Sequence, residues 1–125
     1  MIRVLIADDH PVVRAGYQRL LEQAGDIRVV ADANDGQEAL DKVRSESPDL
    51  VLLDVMMPRK NGYEVCQEIR AEPALQATRI LMLTAKGRET EVTKGMAMGA
   101  DAYMTKPFST KELVAKVKLL LDIPA

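Results

Sequence analysis

Four apolar runs of the sequence each end in a side chain able to do chemistry: Asp8-Asp9 after the first, Asp54, Thr84 and Lys106 after three later ones. If these ends share one rim, three carboxylates crowd together. At an effective dielectric of ~20, a like-charge pair 4 Å apart repels by about 4 kcal/mol. Such a cluster either raises a carboxyl pKa or holds a cation. Lys106 sets one positive charge against three negative ones, so a hard divalent ion with oxygen ligands fits the remainder. Mg2+ is the expected ion, because a few carboxylates plus waters suit its octahedral shell.

An acidic metal pocket beside a lysine and a hydroxyl points to phosphate chemistry, with Lys106 as a point charge and Thr84 as a hydrogen-bond donor to phosphoryl oxygens. Neither a G-x-x-x-x-G-K-S/T loop nor a G-x-G-x-x-G turn after the first run is present, which argues against a nucleotide site. The expected scheme is phosphoryl transfer onto a carboxylate, a competent nucleophile when cations screen the incoming group. Asp54 is the candidate acceptor because it stands alone at the end of the central run. Asp8 and Asp9 then serve the metal.

Positioning these residues requires strands that end together. Short β-branched runs alternate with amphipathic stretches, the pattern of a parallel sheet with helical crossovers. Strands are predicted at Ile2–Ala7, Arg28–Asp32, Leu50–Asp54, Arg79–Thr84 and Ala102–Thr105, each near-continuously apolar, as strands covered on both faces are. The first helix starts at Pro11 and carries Val13, Tyr17, Leu20, Leu21 and Ala24 until Gly25 closes it; the second covers Gln37–Ser45 and buries Ala39, Leu40 and Val43. Asn61-Gly62 opens a third with Val65, Cys66 and Ile69 inward, and a fourth is expected over Glu89–Met98. The fifth begins with Ser109 as cap and Glu112 three residues on, as in a capping box, with Leu113, Val117, Leu120 and Leu121 on one face. In such α/β sheets, ligands bind outside the carboxyl ends of the strands.

Composition narrows the classes. At 125 residues the length suits one domain over 1–125, and 47% hydrophobic residues is too many for disorder. No apolar run approaches the ~20 residues of a membrane span. The first run is cut short by Asp8-Asp9, so no signal peptide is expected and the chain reads as cytoplasmic. The lone Cys66 excludes a disulfide framework and a cysteine zinc site. With 17 basic and 19 acidic residues, no Trp and few aromatics, direct nucleic-acid binding is not expected.

The ordered set Asp8-Asp9, Asp54-Val55-Met56-Met57-Pro58, Asn61-Gly62, Leu83-Thr84-Ala85, Gly99-Ala100-Asp101, Tyr103 and Lys106-Pro107-Phe108 resembles the receiver domain of bacterial two-component response regulators, over essentially the whole chain. The resemblance implies a doubly wound, flavodoxin-like α/β fold with five helices and strand order 2-1-3-4-5. It implies Asp54 as phosphoacceptor, served by a sensor histidine kinase or histidine phosphotransfer protein. Asp9 and Asp54 would ligate Mg2+ directly, Asp8 partly through water, and Met56 through its backbone carbonyl. Lys106 would contact the phosphoryl group, aimed by a cis Lys106-Pro107 bond. Thr84 would move toward the phosphate and Tyr103 swing inward, altering the face made by the fourth helix, fifth strand and fifth helix. The early part is similar to receivers with helix-turn-helix outputs and the later part to winged-helix ones. Val92, Ala97 and Ala102 stand where the latter carry dimer charges, so a monomer or weak dimer is expected.

Plainer readings stand beside these. Taken alone, Asp8-Asp9 fits an exposed turn, Thr84 a β-former and Tyr103 a half-buried strand residue. His10 is read as an exposed loop residue, not a ligand or phosphohistidine. Cys66 is read as a core filler, Met82, Met96 and Met104 as core or near-core, Met98 as exposed, and Lys111, Lys116 and Lys118 as a solvated face. Met56 and Lys86 flank the path of a hydrolytic water and cannot position it, so self-dephosphorylation is expected to be slow. Because the receiver pattern uses nearly the whole length, a signalling switch acting through a separate protein target is expected, as in stand-alone chemotaxis regulators, and not an enzyme. The alternatives are an isolated or engineered receiver module of a DNA-binding regulator, or a small aspartyl-phosphate phosphohydrolase.

Overall fold

The computed structural model describes residues 1–85, 94, 96–106 and 109–121. Five parallel strands form one sheet in the order β2-β1-β3-β4-β5: β1 is Ile2–Ala7, β2 Ile27–Ala33, β3 Leu50–Asp54, β4 Arg79–Ala85 and β5 Ala102–Lys106. The helices are α1 (Pro11–Glu22), α2 (Gly36–Glu46), α3 (Gly62–Ala71) and α4 (Thr110–Leu120), with a 3-10 turn at Pro73–Leu75. This is the expected flavodoxin-like arrangement. The helix expected over 89–98 lies largely outside the described residues, although Lys94, Met96 and Ala97 are helical. Lys86 and the Lys106-Pro107 bond also lie outside them.

Alternation along the strands builds two cores. On β1, β3 and β4, the side chains of Leu5, Ala7, Val51, Leu53, Ile80 and Met82 pack with Leu40, Val43, Val65, Cys66 and Ile69 of α2 and α3. Their neighbours Val4, Ile6, Leu50, Leu52, Leu81 and Leu83 pack on the opposite face with Leu21 of α1 and Leu113 and Val117 of α4. Such two-sided burial is why these three strands read as continuous apolar runs. The edge strands do not match that expectation: β2 and β5 are half-exposed, because each has a neighbour on one side only.

Local chemistry sets the helix starts. The Asp35 carboxylate accepts the Glu38 N–H at 2.8 Å, and Asn61 with Glu64 forms a full capping box. Ser109 Oγ accepts the Glu112 N–H at 3.1 Å. Four smaller expectations change. Met96 is 43% exposed, and Met98 instead packs partly buried against the α2/α3 core. Lys118 is drawn down to Asp26 at 3.0 Å and leaves the solvated face. Of the α1 face, only Leu21 is fully buried, because that helix lies over the edge of the sheet, against β2.

Two glycines let the loop after β3 sit close to its neighbours. A Cβ on Gly62 would lie 2.6 Å from the Asp54 carbonyl oxygen and 2.9 Å from Val55 Cα; one on Gly36 would fall on the Lys60 carbonyl. Backbone is what each would strike, so the loop would have to move. Gly16, in the middle of α1, has open space around it. Gly36→Ala is expected to destabilise the fold by about 1–3 kcal/mol, whereas Gly16→Ala is expected to stabilise it by about 0.5–1 kcal/mol. Urea denaturation of the two variants checks both signs.

Candidate functional site: the acidic pocket

In a parallel sheet every strand points its carboxyl end the same way, and the register decides which ends meet. Ala7 of β1 pairs with Leu53 of β3, so the next residues, Asp8 and Asp54, emerge side by side. Asp54 pairs with Leu83, which puts Thr84 one step beyond it on β4, and Ala85 pairs with Lys106. Continuing the alternation, Asp8, Asp54 and Lys106 follow Ile6, Leu52 and Met104 toward the α1/α4 side. Thr84 and Tyr103 follow Met82 toward the other side.

The pocket is closely built. Lys106 Nζ donates to Asp54 Oδ2 at 3.1 Å and stands 3.5 Å from Asp8 Oδ2. The Met56 N–H donates to Asp54 Oδ1 at 3.0 Å, and the His10 N–H to Asp8 Oδ1 at 2.9 Å. Arg14 holds the Asp8 carbonyl at 2.7 Å while its Nε donates to Asp32, tying the loop after β1 to β2. Asp8 is fully buried and Asp54 nearly so, whereas Asp9 stands a third exposed at the rim. On β4, Thr84 is buried with its hydroxyl oxygen lacking a hydrogen-bond partner among the described residues. Tyr103 is 44% exposed, turned outward.

Electrostatics divide the two buried acids. For Asp54, burial outweighs the Met56 N–H and Lys106, so its carboxyl is pushed above the usual carboxylate range. Burial acts on Asp8 too. There the His10 N–H, the adjoining Asp54 carboxyl and the Lys106 charge prevail and hold it below that range. Burial thus works against the ionised form of Asp54, while the neighbours of Asp8 favour its ionised form. Lys106 loses hydration by burial, but Asp54, Tyr17 and Asp8 more than compensate and raise its pKa.

These groups fit a cation. Asp8, Asp9, His10 and Asp54 each offer a donor atom, all within 4.8 Å of one another. Asp8 Oδ2 is buried with no hydrogen bond among the described residues, and an orphaned anionic oxygen is what a cation would satisfy. Oxygen donors in this number suit a hard divalent ion.

The structure therefore gathers Asp8, Asp9, Asp54 and Lys106 into one cluster, with Met56 bonded to it through its N–H and Thr84 one residue beyond on the neighbouring strand. Three contributors went unread in the sequence. Tyr17 of α1, expected only as core, hydrogen-bonds with Lys106, and burial pushes its phenol pKa up. Arg14 fixes the Asp8 loop. His10 is exposed as expected, yet its Nδ1 lies 3.1 Å from Asp8 Oδ1 and 2.9 Å from Asp9 Oδ1. An i, i+3 pair of polar residues on α1 facing the first strand end could have signalled Arg14 and Tyr17.

Comparison with known proteins agrees with this geometry. The response regulator receiver domain family matches residues 4–118. The alkaline phosphatase synthesis transcriptional regulatory protein PhoP of Bacillus subtilis is 44% identical over 119 residues, which are 95% of this chain and 48% of PhoP. The chain thus spans about half the length of the curated relatives it matches. Among solved structures, a two-component response regulator of the LuxR family from Aurantimonas sp. SI85-9A1 is 36% identical with a TM-score of 0.87, covering 98% of this chain and 87% of its own. The Vibrio cholerae chemotaxis protein CheY4 is 32% identical with a TM-score of 0.87, covering 96% and 98%. No helix among the described residues is long and apolar enough to cross a membrane. A family match over nearly the whole sequence, and relatives alike in sequence and in fold, establish that the chain belongs to the response regulator receiver domains of two-component systems.

Proposed function

We propose that Asp54 accepts a phosphoryl group from a histidine of a sensor kinase or phosphotransfer protein, in the cytoplasm, and that the change is passed to a protein target. The observation that carries this reading is the Lys106 Nζ held 3.1 Å from a nearly buried Asp54 beside the fully buried Asp8. An Asp54 oxygen attacks phosphorus as the phosphorus–nitrogen bond breaks, and the electron pair leaves with the imidazole. Asp9, Asp54 and the Met56 carbonyl would hold Mg2+, with Asp8 acting partly through water, and the bound ion would neutralise charge on the transferring phosphoryl oxygens. Lys106 offers its charge to a further oxygen, and the orphaned Thr84 hydroxyl offers a hydrogen bond.

After transfer, the added charge of about -1.5 to -2 draws Thr84 toward Asp54. Space then opens on the side of the sheet that Thr84 shares with Tyr103. The outward Tyr103 ring turns into it, and the surface of β5 and α4 changes for a partner or a second copy, as a monomer or weak dimer. The chain acts as a switch and turns over no small substrate. Met56 is more than half exposed at the mouth of the pocket and carries no amide or carboxylate to align a water, which favours a long-lived phosphoryl group.

Incubation with a small phosphodonor and Mg2+ is expected to add one phosphoryl mass to wild type and none to Asp54→Ala; equal labelling of both overturns the assignment. The label is expected to persist for minutes or longer with Mg2+ present, and loss within seconds counts against the Met56 reading. Asp54 also bears on stability. Its raised carboxyl pKa means the folded chain holds that proton more tightly than the unfolded chain, so stability falls as pH rises through the folded value. At neutral pH, Asp54→Asn removes an ionisation made at a cost and is expected to melt higher in metal-free buffer, by about 3–6 °C for ~1 kcal/mol. Excess Mg2+ should narrow the gap by stabilising wild type more, as differential scanning calorimetry can read.

A further inference from the structure

His10 is the single histidine of the chain. Its side chain is 67% accessible, yet the ring turns Nδ1 inward, 3.1 Å from Asp8 Oδ1 and 2.9 Å from Asp9 Oδ1. The fully buried Asp8 points Oδ2 into the same cluster without a hydrogen bond, Lys106 Nζ stopping at an ion-pair separation of 3.5 Å. One donor atom from each of Asp8, Asp9, His10 and Asp54 lies within 4.8 Å of the others.

We propose that His10 is a nitrogen ligand of the acidic pocket, which thereby binds a borderline divalent transition ion of the Zn2+, Co2+ or Ni2+ kind more tightly than its carboxylates alone would. This rests on the reading of the pocket as a cation site and adds a donor that changes its selectivity. Carboxylate, carbonyl and water oxygens suit Mg2+, whereas imidazole suits the later transition ions. Two donors about 2.1 Å from a shared ion, at right angles, lie about 3.0 Å apart. Nδ1 already stands at 2.9 and 3.1 Å from oxygens of the two acids. Contacts made now as hydrogen bonds or ion pairs therefore have the length of ligand edges around an ion.

The backbone holds the ring there. The His10 N–H donates to Asp8 Oδ1, and Pro11 starts α1 directly behind an extended His10. His10 occupies the cap position of α1 but its side chain makes no cap hydrogen bond, so ligation breaks none. Ligation would displace a proton from Nδ1 and leave Nε2 as the protonated nitrogen, so that the Nδ1 lone pair meets the ion. Cys66 offers no competing thiolate: it is buried, and burial pushes its thiol up to about 11.

A single histidine makes the test direct. In 15N-labelled wild type, Zn2+ is expected to shift the Nδ1 resonance of His10 strongly while Nε2 keeps its proton, and Mg2+ is expected to leave Nδ1 near its metal-free position. By calorimetry, His10→Ala and His10→Gln are each expected to lower the ratio of Zn2+ to Mg2+ affinity by roughly 10–100-fold. Melting in chelator shows that each variant is folded. If wild type binds Mg2+ but Zn2+ leaves Nδ1 unmoved, or the affinity ratio stays within twofold in both variants, the inference falls and the acidic pocket stands. If wild type binds neither ion, the pocket reading itself fails.

Discussion

Everything at the rim answers to one electrostatic constraint: two buried carboxylates, Asp8 and Asp54, are set side by side by strand register. The Ala7–Leu53 pairing leaves them no lateral freedom, and the packed layers beneath transmit no slack, because interiors at crystal-like density do not deform for one contact. Relief must come from outside the two strands. Lys106 supplies it from β5, the His10 and Met56 N–H groups supply it from the two loops, and Arg14 braces the first of those loops. The relief is incomplete, for Asp8 Oδ2 stays without a hydrogen bond. A site left short of positive charge is ready for a cation and for a group that carries one with it.

The same sheet sets the acidic cluster on one side and Thr84 with Tyr103 on the other. Asp8, Asp54 and Lys106 continue the residue parity that faces α1 and α4, while Thr84 and Tyr103 continue the parity that faces α2 and α3. Chemistry on one side thus reaches the other across a single strand step between Asp54 and Thr84. The turn leading into β5 is firmly tied: Arg70 of α3 donates to the Gly99 carbonyl at 2.8 Å and to Asp101 at 2.6 Å, and Asp101 also accepts the Ile80 N–H at 2.7 Å. Lys106 is therefore delivered from a strand fixed at its far end, and the outward Tyr103 stands on that same braced strand.

Much of this was legible beforehand because the relevant signals are local. β1 and β3 were read to the residue, since continuous apolar runs ended by aspartate leave little choice of boundary. The caps Asn61 and Ser109 announced their helices for the same reason: a side chain that satisfies a free N–H does so within one turn. Errors fell where partners come from afar. Met96 and Met98 exchanged their expected roles, and Lys118 left the solvent for Asp26, just before β2. Tyr17, Arg14 and His10 looked like an ordinary helix and its entry: the i, i+3 spacing of Arg14 and Tyr17 marks a shared helix face, and the tertiary fold sets that face on the acids.

By itself the sequence determined the alternation of strands and helices, the acidic pair, the lone aspartate and the lysine, and hence the family. Hydrophobic period and residue chemistry are properties of short segments, and the ordered set is too particular to arise in another fold. Tertiary structure alone decided which acids touch, in which direction burial and neighbours push each of them, and which other residues are drawn in. Those depend on parallel register, on burial and on distances of about 3 Å between residues up to 52 positions apart. The imidazole of His10 belongs to that second class: in the sequence it follows the acids, and only the fold turns its nitrogen back upon them.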